Sequence, residues 1–214
     1  MYDAGKKLCL SIVVPVYSGA EFLELLVTEI ERIRLEWTAL KIPCQIDEII
    51  FVDDSAIDTS AQVLDKLAHE RPWITVLHLA RNYGQHAATI AGILHCSGDW
   101  VITMDEDLQH HPDQIINLLE EAVVSQSDVV YARPAENVHQ KFIRDFSSRK
   151  YKSLMAYVTG NGALYNANSF RLMRGSTARA ASSVCAHDTY FDVALSWFTN
   201  RFSTSAMTLK DQRY

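Results

Sequence analysis

Asp105, Glu106 and Asp107 follow the apolar run "WVITM" of residues 100–104 without a break. Carboxylates crowded at the end of a buried strand cost free energy unless positive charge sits among them. In an extended chain, residues i and i+2 project to the same side, so Asp105 and Asp107 can reach one ion. A small set of carboxylate oxygens suits Mg²⁺ or Mn²⁺, ions that keep waters and bridge to phosphate oxygens. An isolated D-x-D is most often a solvated acidic loop; this one closes a strand.

Other polar clusters end strands in the same way. Asp53 and Asp54 close "DEIIFVDD", where a carboxylate can accept hydrogen bonds from a base or ribose. Asp58 and Thr59 are candidate caps for the helix that follows. "ARNYGQH" supplies Arg81 for a phosphate or carboxylate and Gly84 for close backbone approach. His110 and His111 are adjacent, diverge on a strand and have no third ligand at zinc spacing, so they read as polar rim residues. Between 141 and 152, Lys141, Arg144, Arg149, Lys150 and Lys152 face one acid, Asp145, with Phe142, Ile143 and Phe146 among them. Such a segment is either a basic amphipathic helix for a membrane surface or phosphate, or an ordinary surface helix.

The elements that must position these groups alternate. "LCLSIVVPV" (8–16) is a β-branched apolar run, the pattern of a strand covered on both faces. Helical spacing predicts helices over 22–37, 59–70, 85–96 and 112–125, with strands over 47–54, 73–79, 100–107 and 127–132. Strands alternating with helices make βαβ units and a mainly parallel sheet. In such sheets ligands sit outside the carboxyl ends of the strands, which puts the acidic clusters on one rim. Beyond 132 the expectation is a helix over 142–158, a loop, short strands at 169–173 and 201–209, and a helix over 188–198.

With 214 residues, 48% apolar and 21% charged, the chain fits one α/β domain. A net charge of −6 argues against nucleic acid as partner. Cys9, Cys44, Cys96 and Cys185 form no CxxC pair and read as free thiols of a reducing compartment. No apolar run approaches the roughly 20 residues that span a bilayer, and residues 1–8 do not read as a signal peptide. The expected location is cytoplasmic.

"IVVPVYSGAEFL", "IIFVDDSAIDTS", the run from "LARNYGQH" to "DEDLQHHPDQI" and "SFRLM" resemble, in order and spacing, the family 2 glycosyltransferases, above all their polyprenyl-phosphate glycosyltransferases. The resemblance implies a three-layer GT-A fold, with 1–131 holding a nucleotide-sugar and 132–214 the acceptor. It implies that Asp105 and Asp107 bind Mg²⁺ or Mn²⁺ on the donor diphosphate. Pro15, Tyr17, Asp53, Asp54, Arg81 and Glu106 belong to the nucleotide-sugar pocket, and Gln109 lies beside the sugar or acceptor phosphate. Arg144, Arg149 and Arg213 are the implied acceptor-phosphate contacts, on a surface facing the membrane. Relatives continue past such an Arg with further sequence and membrane helices, so a catalytic portion of a longer protein, peripheral on the cytoplasmic face, is expected, with a naturally short protein as the alternative. A UDP-sugar is the implied donor, and a homo-oligomer stays open.

Three stretches depart from the pattern: Ser18-Gly19 stands where many relatives have Asn-Glu, "DDSA" replaces "DDGS", and Ser169 replaces an Asp that some relatives carry as a base. A phosphate acceptor, with its second pKa near ~6, is already anionic at neutral pH, whereas a sugar hydroxyl needs a base. The expected reaction is therefore inverting transfer to a polyprenyl phosphate. The alternatives are transfer to a saccharide hydroxyl with Asp188 as base, and a silent nucleotide- or partner-binding domain.

Overall fold

The structure is a computed structural model that describes residues 7–134, 168–186 and 189–207. Its centre is a seven-stranded sheet in the order β3-β2-β1-β4-β6-β5-β7. The strands are β1 (Leu8–Val16), β2 (Cys44–Asp53), β3 (Ile74–His78), β4 (Trp100–Thr103), β5 (Val129–Pro134), β6 (Arg171–Arg174) and β7 (Phe202–Met207). The helices are α1 (Ala20–Ala39), α2 (Ser60–Glu70), α3 (Gln85–His95), α4 (Ile115–Val124), α5 (Gly175–Val184) and α6 (Phe191–Phe198).

The apolar stretches of β1 and of the second half of β2 are explained by burial on both faces. Leu10, Ile12, Val14 and Val16 join Ile49 and Phe51 in a core with α1, α2 and α4. Val13, Ile50 and Val52 point the other way, into a core with α3, α5 and α6. Period-2 alternation thus feeds two layers at once. Gly92 in α3 lets that helix lie on the sheet, because a Cβ there would collide with Val13 and meet Val52 at 3.0 Å.

β1 pairs in parallel with both β2 and β4, so the strand order reverses direction between β1 and β4. Ligands of open α/β sheets bind in the crevice at such a switch point. The expected mainly parallel sheet is present, with β6 inserted antiparallel between β4 and β5. β7 then runs parallel to β5.

Two expectations are corrected. β4 ends at Thr103 rather than running through Asp107, although the Met104 N–H still bonds the Val13 carbonyl. The chain then turns, with Leu108 at φ 57 and both Met104 and Leu108 buried; two apolar anchors lift the acidic residues between them off the strand line. The helix expected from Pro112 starts as one 3₁₀ turn, Pro112–Gln114, before α4. α5 has no counterpart in the sequence reading. The region 142–158 and its loop lie outside the described residues.

Candidate active site

A cavity of about 510 Å³ opens at the β1–β4 switch point. Its wall includes Pro15, Tyr17, Asp54, Asp105, Glu106 and Asp107, so six expected site residues from three separate motifs share it. Val16, Ser18, Phe22, Asn82, Gly84 and Gln85 complete the lining. The wall contains acids and no Lys or Arg among the described residues. A cation is the chemistry such a wall lacks.

Each acid is held differently. Asp105 accepts from Gln85 Nε2 on one oxygen and from the Ser169 hydroxyl, at 2.5 Å, on the other. Asp107 accepts from its own turn, through the Gln109 N–H at 3.1 Å. Glu106 folds back onto β1's loop and accepts the Tyr17 and Ser18 N–H groups at 3.1 and 3.2 Å. Burial raises the Glu106 carboxyl above its ordinary range, against the pull of those two donors. A Cβ at position 19 would meet this flexible carboxylate end, so Gly19 leaves room for Glu106 in the position it takes.

Asp54, 2% exposed, accepts the Tyr83 and Gly84 N–H groups at 2.7 and 2.8 Å. It thereby fixes the loop that starts α3, where Gly84 takes φ 89. The exposed Tyr17 ring stands at the cavity edge, available for stacking on a base. Asp53, Arg81 and Gln109 stand outside the cavity wall. Asp53 is buried between the Ala56 N–H, at 2.7 Å, and His78 Nδ1, at 2.8 Å; Arg81 lies 4.8 Å over the Tyr83 ring. Asp188, Arg144, Arg149 and Arg213 lie outside the described residues. Nothing in the spacing of Gln85 and Ser169 marks them as site residues; their signal is spatial.

His110 is half-buried: its ring packs 4.9 Å from Phe170, and burial lowers its pKa. His111 caps the 3₁₀ turn beside Asp113. His78 sits between Asp53 and Asp65, and the Asp53 hydrogen bond leads the causes that raise its pKa above 6.5. A raised histidine pKa stabilises the fold fully below the unfolded value and less as pH passes the folded one. The Tm gap between wild type and His78→Gln should therefore narrow as pH rises from about 6 to about 9. With the side chain 44% exposed, solvent screening keeps the effect small. Melts at both pH values check it, and a gap that widens with pH contradicts it.

The donor set fits a divalent cation. Asp105 and Asp107 offer hard oxygens to one cavity, and no cluster of three or more His, Cys, Asp or Glu able to enclose a metal exists among the described residues. Two carboxylates with room for phosphate and water match Mg²⁺ or Mn²⁺.

Among known proteins, an undecaprenyl-phosphate 4-deoxy-4-formamido-L-arabinose transferase of Pseudomonas fluorescens is 39% identical over 153 residues, 71% of this chain and 42% of the relative. The enzyme of that name from Salmonella choleraesuis is 35% identical over 161 residues, 75% of this chain and 47% of the relative. The chain thus spans less than half the length of these relatives. Glucosyl-3-phosphoglycerate synthase of Mycobacterium tuberculosis, solved with Mn²⁺, UDP-glucose and glycerol 3-phosphate, superposes with a TM-score of 0.64 at 14% identity. That alignment covers 99% of this chain and 73% of the synthase. A mannosyltransferase of Pyrobaculum calidifontis, solved with GDP-mannose and Mn²⁺, gives a TM-score of 0.60 at 15% identity over 98% of this chain and 59% of its own. The architecture is the GT-A fold. The family profile described as Glycosyl transferase family 2 matches residues 11–180, a span that takes in both walls of the β1–β4 crevice, and the chain belongs to that family.

Proposed function

We propose that this chain is the catalytic part of a metal-dependent inverting glycosyltransferase that moves a sugar from a nucleoside-diphosphate donor to a polyprenyl phosphate. The observation that carries the reading is the pairing of Asp105 and Asp107 in one acidic cavity at the strand-order switch point. Asp105 and Asp107 would hold Mg²⁺ or Mn²⁺, which supplies Lewis-acid neutralisation of the departing diphosphate. Tyr17 offers a stacking face to the base. Asp54 holds the Tyr83–Gly84 loop against the pocket, and Glu106 holds the loop after β1. Asp53 acts from behind the wall, and Arg81 and Gln109 act at the rim.

Attack on the anomeric carbon from the side opposite the nucleotide inverts the sugar through an oxocarbenium-like transition state. An anionic phosphate acceptor needs no base where Ser169 stands. The part after 132 serves the acceptor, with Arg144, Arg149 and Arg213 as phosphate contacts at the cytoplasmic membrane surface. Among the described residues no helix is long and apolar enough to cross a membrane. The names of the relatives, which specify undecaprenyl phosphate, support this acceptor class.

The test offers UDP- and GDP-sugars with Mg²⁺ or Mn²⁺ and, in parallel, undecaprenyl phosphate in detergent or a saccharide acceptor. Turnover should require the lipid phosphate, and Asp188→Asn should leave it nearly unchanged. Transfer to the saccharide, with a loss of about a hundredfold or more in Asp188→Asn, would instead mark that residue as a general base.

A further inference from the structure

Asp105 is gripped from two sides by donors distant in sequence. Gln85, the first residue of α3, donates to Oδ1, and Ser169, two residues before β6, donates to Oδ2 at 2.5 Å. Both donors are braced. The Gln85 carbonyl accepts the Thr89 hydroxyl at 2.8 Å, and the preceding Gly84 is tied to Asp54. The Ser169 carbonyl accepts the hydroxyl of buried Thr103 at 2.6 Å, and Phe170 beside it is fully buried. The grip therefore joins α3, β4 and the start of β6 at one carboxylate. Asp107 has no such brace from another element among the hydrogen bonds of the described residues; its contact is the Gln109 N–H two residues away.

Among the described residues, Asp105 is thus the more firmly oriented of the two carboxylates. Donors that fix a ligand's rotamer act on metal affinity, typically by 10–100-fold. Serine at 169 is suited to this: a hydroxyl donates to Asp105, whereas an ionised carboxylate has no proton to donate and would repel it.

We propose that Gln85 and Ser169 are positioning residues that hold Asp105 for the divalent cation and set the affinity of the site. The inference rests on Asp105 and Asp107 being the cation's ligands. Neither donor need touch the ion or the sugar.

The experiment is a Mn²⁺ titration of the full chain, followed by the electron paramagnetic resonance of free Mn²⁺, with UDP or GDP present. Wild type is compared with Ser169→Ala, Gln85→Ala and the hydroxyl-retaining Ser169→Thr, each checked by circular dichroism. Ser169→Ala and Gln85→Ala should each weaken Mn²⁺ binding about tenfold, while Ser169→Thr should stay close to wild type. Wild-type affinity in both alanine variants overturns the inference and leaves the ligand assignment standing. Tenfold weakening in Ser169→Thr as well would overturn the hydroxyl's role. No Mn²⁺ uptake by wild type with either nucleotide would sink the ligand assignment itself, and the inference with it.

Discussion

Asp107→Ala is expected to lower kcat/KM by about a thousandfold or more while the protein stays folded. A Lewis-acidic ion contributes several kcal/mol of charge stabilisation in the transition state, and each ~1.4 kcal/mol is a factor of ten in rate. Asp107 carries little of the described fold: among the described residues it accepts one N–H from its own turn, a bond worth about 1 kcal/mol net. Buried Met104 and Leu108 on either side keep the turn anchored without it. Activity and folding should therefore separate cleanly. Rates with the best donor, beside a thermal melt, decide the matter: full activity in the variant would end the metal assignment, whatever the stability.

Asp192→Ala should show the opposite pattern, a large loss of stability from a residue outside the cavity wall. Asp192 and Arg171 are 3% and 5% exposed and form an ion pair on the opposite side of the sheet from α1. The Tyr131 hydroxyl donates to the same Asp192 oxygen at 2.7 Å, and burial pushes that phenol well up, so it remains a donor. Removing the carboxylate leaves a buried guanidinium with the Phe191 ring, 4.8 Å away, as a surviving neighbour. Breaking a buried pair from one side typically costs about 3–5 kcal/mol. At about 2–4 °C per kcal/mol for chains of this size, Tm should fall by roughly 6–20 °C. Replacing both partners by apolar residues of similar volume should recover most of that loss, because the cost lies in the stranded charge. A single-variant melt within about two degrees of wild type would contradict this.

The sequence showed most where burial repeats a pattern. β1 is legible to the residue, since its β-branched apolar run, broken by one buried serine, is the pattern of a strand covered on both faces. Asp105 is legible because it follows such a strand. The Gln85 and Ser169 brace is not: its members stand 20 and 64 residues from Asp105, and only folding brings them together. α5 is not legible in the sequence because "GSTARAASSV" has no large apolar stripe until Val184. Its buried face is Gly175, Ala178, Ala181 and Ser182, small residues that let the helix pack closely. A Cβ on Gly175 would collide with the Gly98 carbonyl, so close approach, not hydrophobic bulk, defines that helix. Spacing alone predicts an extended D-x-D segment. The positive φ of Leu108 and the backward fold of Glu106 onto the β1 loop are tertiary choices that spacing does not encode.

Calorimetric titration of the chain with UDP, then GDP, with Mg²⁺ or Mn²⁺ present and then with the metal chelated, tests the central claim most directly. One nucleotide should bind in the presence of metal, and that binding should collapse on chelation and in Asp107→Ala. Binding of equal strength with and without metal, or no binding of either nucleotide, would contradict the assignment of this acidic cavity as a metal-dependent donor site.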